Sequence, residues 1–261
     1  MIPGNEIRRL AREQGVPETT VERDYVQNRF LNELFSETED LAFKGGTAIR
    51  KIHIRGYRFS DDLDFTLRRD TGREELAAVI ERARDNAIEK AGTDFEGEFD
   101  MRKVANGWKA LLHCRSSLTR RISINIKLDM TGFDRERVLL PVEKKAMFHD
   151  FSDSCETKIT TYSLNEIMAE KVRALFDRGW PRDFYDVYRL WDVADLKVAI
   201  PIFEKKCEFK GIKPDIDALN GEREQLRGGW NSSLGHQMHA VPDFDEVFET
   251  LLSRLRAMGI G

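Results

Sequence analysis

An apolar run halted by two consecutive glycines, then a second strand carrying paired aspartates, leaves this chain few folds to choose from. The stretch is Leu41–Leu67, LAFKGGTAIRKIHIRGYRFSDDLDFTL. Leu41, Ala42 and Phe43 read as a short buried strand, and the turn Lys44-Gly45-Gly46-Thr47 leads into a helix over Thr47–His53 with Ala48, Ile49 and Ile52 facing inward. Two glycines at such a turn let backbone N–H groups approach an anion closely, and the positive helix end favours a phosphate. In the strand expected over Asp62–Leu67, alternation puts Asp62 and Asp64 on one face and Leu63 and Phe65 on the other. Carboxylates this close repel unless a cation sits between them, and hard oxygen ligands suit Mg²⁺. A phosphate cradle beside a carboxylate pair reads as a metal-dependent nucleotide site.

The rest of the composition agrees with a globular protein of one large or two ordinary domains. The chain has 261 residues, 34% of them charged and 41% hydrophobic, enough to bury a core without disulfides. Cys114, Cys155 and Cys207 are widely spaced, and the five histidines are scattered, so a zinc site or disulfide framework finds no support and a reducing cytosol fits. The opening MIPGNEIRRL has no apolar leader segment and no run approaches a membrane span, so a cytoplasmic protein is expected. A net charge of −4 argues against a general nucleic-acid coat. The window Met101–Lys127 runs the other way: it holds Arg102, Lys103, Lys109, Arg115, Arg120, Arg121 and Lys127 and lacks Asp and Glu. Such a stripe suits a triphosphate or an RNA backbone; charge alone fits a solvated sheet face equally well.

In chain order, helices are expected over residues 5–14 and 17–35, then the Leu41–Leu67 unit, then an amphipathic helix over Gly72–Ala91. Strands follow near 94–104, 107–115 and 121–130, the first two joined by the hairpin signal Asn106-Gly107. In the last, Ile122, Ile124, Ile126 and Leu128 alternate with Ser123, Asn125, Lys127 and Asp129. Asp129 is a natural third carboxylate; an ordinary solvent face remains the alternative. Residues 141–153 read as a connection with polar turns. Near 155 the pattern changes from strands to helices, which divides the chain into a domain of 1–155 and a helical domain of 156–261. Ser163-Leu-Asn-Glu166 is a capping box. In the helix it starts, Lys171 falls inside the apolar arc of Leu164, Ile167, Met168, Val172 and Leu175, with Arg178 at its edge, so Lys171 points at something anionic. Gly179-Trp-Pro181 ends that helix, Asp183 is placed to cap the next, and Asp186 flanks its packed face. Three or four further helices complete the chain.

These residues together resemble the AbiEii/AbiGii toxin family of bacterial nucleotidyltransferases. The resemblance lies in Phe43-Lys-Gly-Gly-Thr-Ala48, Arg58-Phe-Ser-Asp-Asp-Leu-Asp-Phe65, Lys127-Leu-Asp129, Glu166-Ile-Met-Ala-Glu-Lys-Val-Arg-Ala-Leu175 and Arg182-Asp-Phe-Tyr-Asp186, five pieces in order across roughly residues 41–190. It implies an α+β, DNA-polymerase-β-like nucleotidyltransferase fold, a mixed sheet with helices, followed by a helical C-terminal domain that closes the active-site cleft. It implies transfer of a nucleotide from an NTP to an acceptor hydroxyl, commonly of tRNA, by a toxin encoded beside an antitoxin. Carried onto this chain, Asp62, Asp64 and Asp129 hold Mg²⁺, and Lys171 and Asp186 match the two downstream motifs. Lys44, Gly45, Gly46, Thr47, Ser60, Lys127 and Arg178 form the nucleotide-binding set. Three rival readings keep the same aspartates: an antibiotic-type nucleotidyltransferase, which needs an acidic acceptor pocket; a catalytically silent RNA- or protein-binding homologue; and a metal-dependent nuclease, which has no need of the glycine cradle.

Overall fold

Two helices begin the chain, α1 (Gly4–Gln14) and α2 (Glu18–Glu37), each entered through a proline that presets the backbone for the first turn. This computed structural model describes residues 1–119, 122–153 and 155–260. Strand β1 (Leu41–Lys44) passes directly into the short helix α3 (Gly45–Ala48) and a π-helical turn, Ile49–His53. Then come β2 (Asp62–Leu67), α4 (Arg73–Ala91), β3 (Phe95–Val104), β4 (Gly107–Arg115), β5 (Ser123–Thr131), β6 (Glu143–Lys145) and β7 (Ile159–Thr161). The strands form one mixed sheet in the order β3-β4-β5-β2-β1-β7-β6, with β2 parallel to β5 and β1 parallel to β7. Gly107 carries a φ of +140° at the β3–β4 turn, and a Cβ there would lie 2.1 Å from the Met130 carbonyl oxygen, so only glycine closes this hairpin against β5.

The chain divides into two compact units, Met1–Tyr162 and Ser163–Gly261. In the first, Leu63, Phe65, Ile124, Ile126, Leu128 and Met130 lie buried on the sheet face toward α2 and α4. Phe35 of α2 lies 6.5 Å from Phe43 and 6.1 Å from Phe65, ring centre to ring centre. The second unit is all helical: α5 (Leu164–Asp177), α6 (Pro181–Leu190), α7 (Leu196–Lys210), α8 (Ile216–Gly221), α9 (Arg223–Leu234) and α10 (Phe244–Ala257). Its core includes Phe184 stacked on Phe248 at 5.6 Å, and the stripe Phe244, Val247, Phe248, Leu251, Leu252 and Leu255 is buried throughout. Ser163 caps α5 by accepting from the Glu166 N–H at 3.2 Å. The expected α+β architecture is therefore present, a mixed sheet with helices followed by a helical unit.

Four local expectations need correction. The helix after β1 starts at Gly45, whose left-handed backbone lets the chain reverse at once, and then widens into a π turn closed by the Ile54 N–H on the Ile49 carbonyl. Ile122 is no part of the buried row of β5: it is 42% exposed, and its N–H bonds the Thr119 carbonyl. Residues 141–153 contain a strand, since Glu143–Lys145 pairs with β7 at the sheet edge. Asp183 does not cap α6; Trp180 holds that position, and Asp183 sits in the first turn and turns to cations.

His53 offers a test of this packing. Its Nε2 lies 3.0 Å from the Tyr162 carbonyl oxygen, and burial, aided by nearby Lys145, pushes the imidazole down to about 4. Between that value and the ordinary 6.5 the unfolded chain binds a proton that the folded chain refuses, so stability rises with pH across the window and falls on acidification. The wild type should lose about 2–3 kcal/mol from this group between the ends of that window. Urea midpoints of His53→Gln taken across the same range should show a correspondingly flatter pH dependence.

Candidate functional site

Strand register assembles the site. Lys44 is the Cα partner of Asp64, Asp64 of Asp129, Asp129 of Lys109, and Lys109 of Arg102. Directly paired residues share a face, so these five side chains make one row across β1, β2, β5, β4 and β3. Asp62 pairs with Lys127 in a neighbouring row on the same face, with Lys127 Nζ 3.9 Å from Asp62 Oδ1. The alternation read from the sequence appears as burial: Leu63, Phe65, Leu128 and Met130 face the core, whereas Asp62, Asp64 and Asp129 are half-buried.

The glycine turn lies against this row. Gly45 has a φ of +75°, and a Cβ on it would come within 2.2 Å of Asp64 Oδ2. A Cβ on Gly46 would lie 2.9 Å from Arg58 Nη2 and 3.0 Å from Ser60 Oγ. Thr47 Oγ1 donates to the Asp62 carbonyl at 2.5 Å, which ties the turn to β2. From the other side, Gln27 Nε2 of α2 donates to the carbonyls of Ser60 and Asp61 at 3.2 and 3.0 Å, and Arg23 pairs with Asp61. Lys44 is buried, with its Nζ 5.5 Å from the centre of the Tyr162 ring. Thus Lys44, Gly45, Gly46, Thr47 and Ser60 gather around Asp62 and Asp64, and Lys127 borders them.

Beneath the turn is a buried charge cluster that sequence reasoning missed. Lys51 is 1% exposed and donates to Asp24 Oδ1 at 2.7 Å, to the Asp24 carbonyl at 3.0 Å and to Asn28 Oδ1. Burial alone would raise the Asp24 carboxyl, but Lys51 and Arg50 beside it hold it below its ordinary value. Arg50 also places its guanidinium 3.5 Å from the Phe59 ring centre. These contacts brace the segment that leads to Ser60 and Asp62. A signal was present: two adjacent cations in a short, otherwise apolar helix cannot both reach solvent.

The donor set suits a hard divalent cation: three carboxylates on one face of adjacent strands, one of them against a glycine that leaves no room for a Cβ. Among the described residues, no three Asp, Glu, His or Cys side chains already converge as a closed metal shell. Asp129 instead meets Lys109, with Nζ 2.8 Å from Oδ1. Arg120 and Arg121 of the basic window lie outside the described residues.

The other expected residues belong to the second unit. Lys171 Nζ lies 3.0 Å from Asp183 Oδ1 and 2.7 Å from Asp186 Oδ2, and both aspartates are essentially fully buried. Arg178 Nε adds a bond to Asp183 Oδ2 at 2.9 Å and lies over Trp180, 4.3 Å from the ring centre. Burial would raise the Asp183 carboxyl; Lys171 and Arg178 together hold it well below the usual range. A second buried pair, Lys206 with Glu166 at 2.7 Å, joins α7 to α5 and was not foreseen.

Gly45→Ala follows directly from the geometry. The substitution imposes strain at positive φ and drives a methyl into the Asp64 carboxylate. Transfer activity should fall by about a hundredfold, since an ångström of displacement at a reacting centre costs on that order. Gly56→Ala, also at positive φ but with open space around it, should lose stability without a comparable loss of activity. Steady-state rates and thermal unfolding of the two variants compare them.

Solved structures show a related fold. MenT4, the nucleotidyltransferase toxin Rv2826c from Mycobacterium tuberculosis H37Rv, aligns with a TM-score of 0.65 at 19% identity, covering 98% of this chain and 90% of that one. Looser likenesses are an antigenic nucleotidyltransferase-like protein from Paracoccidioides brasiliensis (TM-score 0.40, 14% identity, 84% of this chain and 94% of that one) and ANT(2")-Ia in complex with adenylyl-2"-tobramycin (TM-score 0.33, 16% identity, 80% and 97%). No curated protein matches the sequence. The family described as "Nucleotidyl transferase AbiEii toxin, Type IV TA system" matches residues 29–250, a span that contains the carboxylate row, the glycine turn and the Lys171 cluster. The chain belongs to the AbiEii family of nucleotidyltransferase toxins.

Proposed function

We propose that this nucleotidyltransferase moves an NMP from an NTP to a hydroxyl of an RNA acceptor, of which the end of a tRNA is the expected kind, with Mg²⁺ held by Asp62, Asp64 and Asp129. The observation that carries the reading is the register Asp64↔Asp129 beside Asp62, laid against the Gly45-Gly46 turn. A divalent cation bound there supplies Lewis-acid charge to the phosphates and lowers the pKa of the attacking hydroxyl. The chain's own part is positioning and electrostatics. Backbone N–H groups at the turn, with Lys44, Thr47, Ser60 and Lys127 around them, bind and orient the triphosphate. The carboxylates orient the acceptor oxygen toward the α-phosphate and favour loss of its proton. Lys171, Arg178 and Asp186 are the downstream motif residues that the same reading assigns to the transfer.

An RNA acceptor is favoured over an aminoglycoside because the polar face beside Asp129 carries Lys109, Lys127 and Arg102, which attract a polyanion and repel a polycation. No helix among the described residues is long and apolar enough to cross a membrane. The reading places the protein in the cytoplasm, where NTP and RNA meet, restrained by a cognate antitoxin and serving phage defence by abortive infection. The test is incubation of the chain with Mg²⁺, each labelled NTP in turn, and either total RNA or aminoglycosides. Label on an RNA-sized product supports the proposal. Label on the aminoglycoside alone, or RNA shortened without NTP, overturns it.

A further inference from the structure

Beyond lending positive charge to that face, Lys109 is set by register directly across from Asp129, the third carboxylate of the row. Its Nζ lies 2.8 Å from Asp129 Oδ1, the distance of a charge-assisted hydrogen bond. The pair is not sealed by burial: the two side chains are 48% and 35% exposed, so the lysine is free to leave. The neighbouring row repeats the arrangement more loosely, with Lys127 Nζ 3.9 Å from Asp62 Oδ1. The carboxylate row therefore contains its own cations, each on the strand beside the aspartate it neutralises.

We propose that Lys109 is the resident counter-ion of the carboxylate row and competes with the divalent cation for Asp129. Before the cation arrives, the ammonium offsets the repulsion between Asp129 and Asp64, which face each other across β5 and β2. Cation binding is then an exchange: the ammonium gives up Asp129 as the carboxylate turns to its new ligand. No covalent bond changes, and the lysine keeps its proton. Lys109 is in this sense a positioning residue that acts through Asp129 and raises the cation concentration the enzyme requires. The proposal rests on the reading of Asp62, Asp64 and Asp129 as the cation ligands.

The experiment is a Mn²⁺ titration of the full chain followed by the electron paramagnetic resonance signal of free Mn²⁺, for wild type, Lys109→Gln, Lys109→Arg and Asp64→Asn. An exposed ion pair contributes up to about a fivefold factor in an equilibrium, so Lys109→Gln should bind Mn²⁺ about three- to fivefold more tightly. Lys109→Arg, which keeps the charge, should behave as wild type. The Mn²⁺ concentration giving half-maximal transfer should fall by the same factor in Lys109→Gln. If wild-type binding is lost in Asp64→Asn but Lys109→Gln binds no more tightly than wild type, the competition is refuted while the cation site stands. If Asp64→Asn binds as well as wild type, the cation reading and the role of Lys109 fall together.

Discussion

Asp64→Asn is expected to reduce nucleotidyl transfer about a thousandfold or more while leaving the unfolding midpoint almost unchanged. Asp64 occupies the centre of the row, between Lys44 on β1 and Asp129 on β5, and its carboxylate is the group that Gly45 approaches most closely. Asparagine keeps the shape and one acceptor oxygen, so β2 and the glycine turn have no reason to move. Its loss of charge removes the hard ligand proposed for the cation and, at the same time, a source of repulsion toward Asp129, so the stability cost should be small. Asp62→Asn should behave alike, because the contact that ties Asp62 to Thr47 is made through its backbone carbonyl. Labelled-NTP transfer rates set beside thermal unfolding decide the matter: a variant that folds and retains a tenth of wild-type activity would falsify the assignment of Asp64.

The second large effect falls on stability and in the other unit. Lys171→Met should destabilise the helical unit by about 3–5 kcal/mol, the usual cost of removing one member of a buried ionic cluster. Two carboxylates that are 1% and 0% exposed, Asp183 and Asp186, then lose the ammonium they share. Adding Asp186→Asn to Lys171→Met should restore a large part of the loss, since it removes one of the two buried negative charges that the lysine offsets. The depressed Asp183 carboxyl adds a pH signature. Its stabilising share is complete above the ordinary value of 3.8 and is lost as the pH drops below that toward its folded value. Urea unfolding of the single and double variants measures both effects. Equal midpoints for wild type and Lys171→Met would mean that the cluster does not hold α5 to α6.

Local signals carried most of the elements. The hairpin turn Asn106-Gly107, the capping Ser163, the stripe of the last helix and the alternation of Asp62–Phe65 are all short-range patterns, and each reappears in the structure. The misplaced details are those in which neighbours far along the chain compete with local preference. Ile122 has the residue type of a buried strand position, but the sheet partner Arg115 ends opposite Ser123, which leaves Ile122 outside the strand. Glu143–Lys145 has no apolar alternation to announce it and is a strand only because β7 offers its edge. Asp183 has the right type and place for a cap, yet Lys171, twelve residues earlier, offers it a stronger partner.

The stretch Leu41–Leu67 by itself determined that this chain would present a glycine turn and two aspartates on one strand face, because the spacing of two glycines and the two-residue period of a strand act within a few residues. The family motifs in the rest of the sequence extended that to a nucleotidyltransferase. Only the tertiary structure decided that Asp129 stands level with Asp64, that Lys109 stands level with Asp129, and that Lys51 is buried against Asp24 below the turn. The physical reason is register: β2 and β5 are parallel neighbours separated by a helix and a hairpin. Alternation forbids a slip of one residue, which would turn Asp129 to the core. A slip of two keeps every side chain on its face and moves Asp129 away from Asp64, and nothing in the local sequence of either strand excludes it.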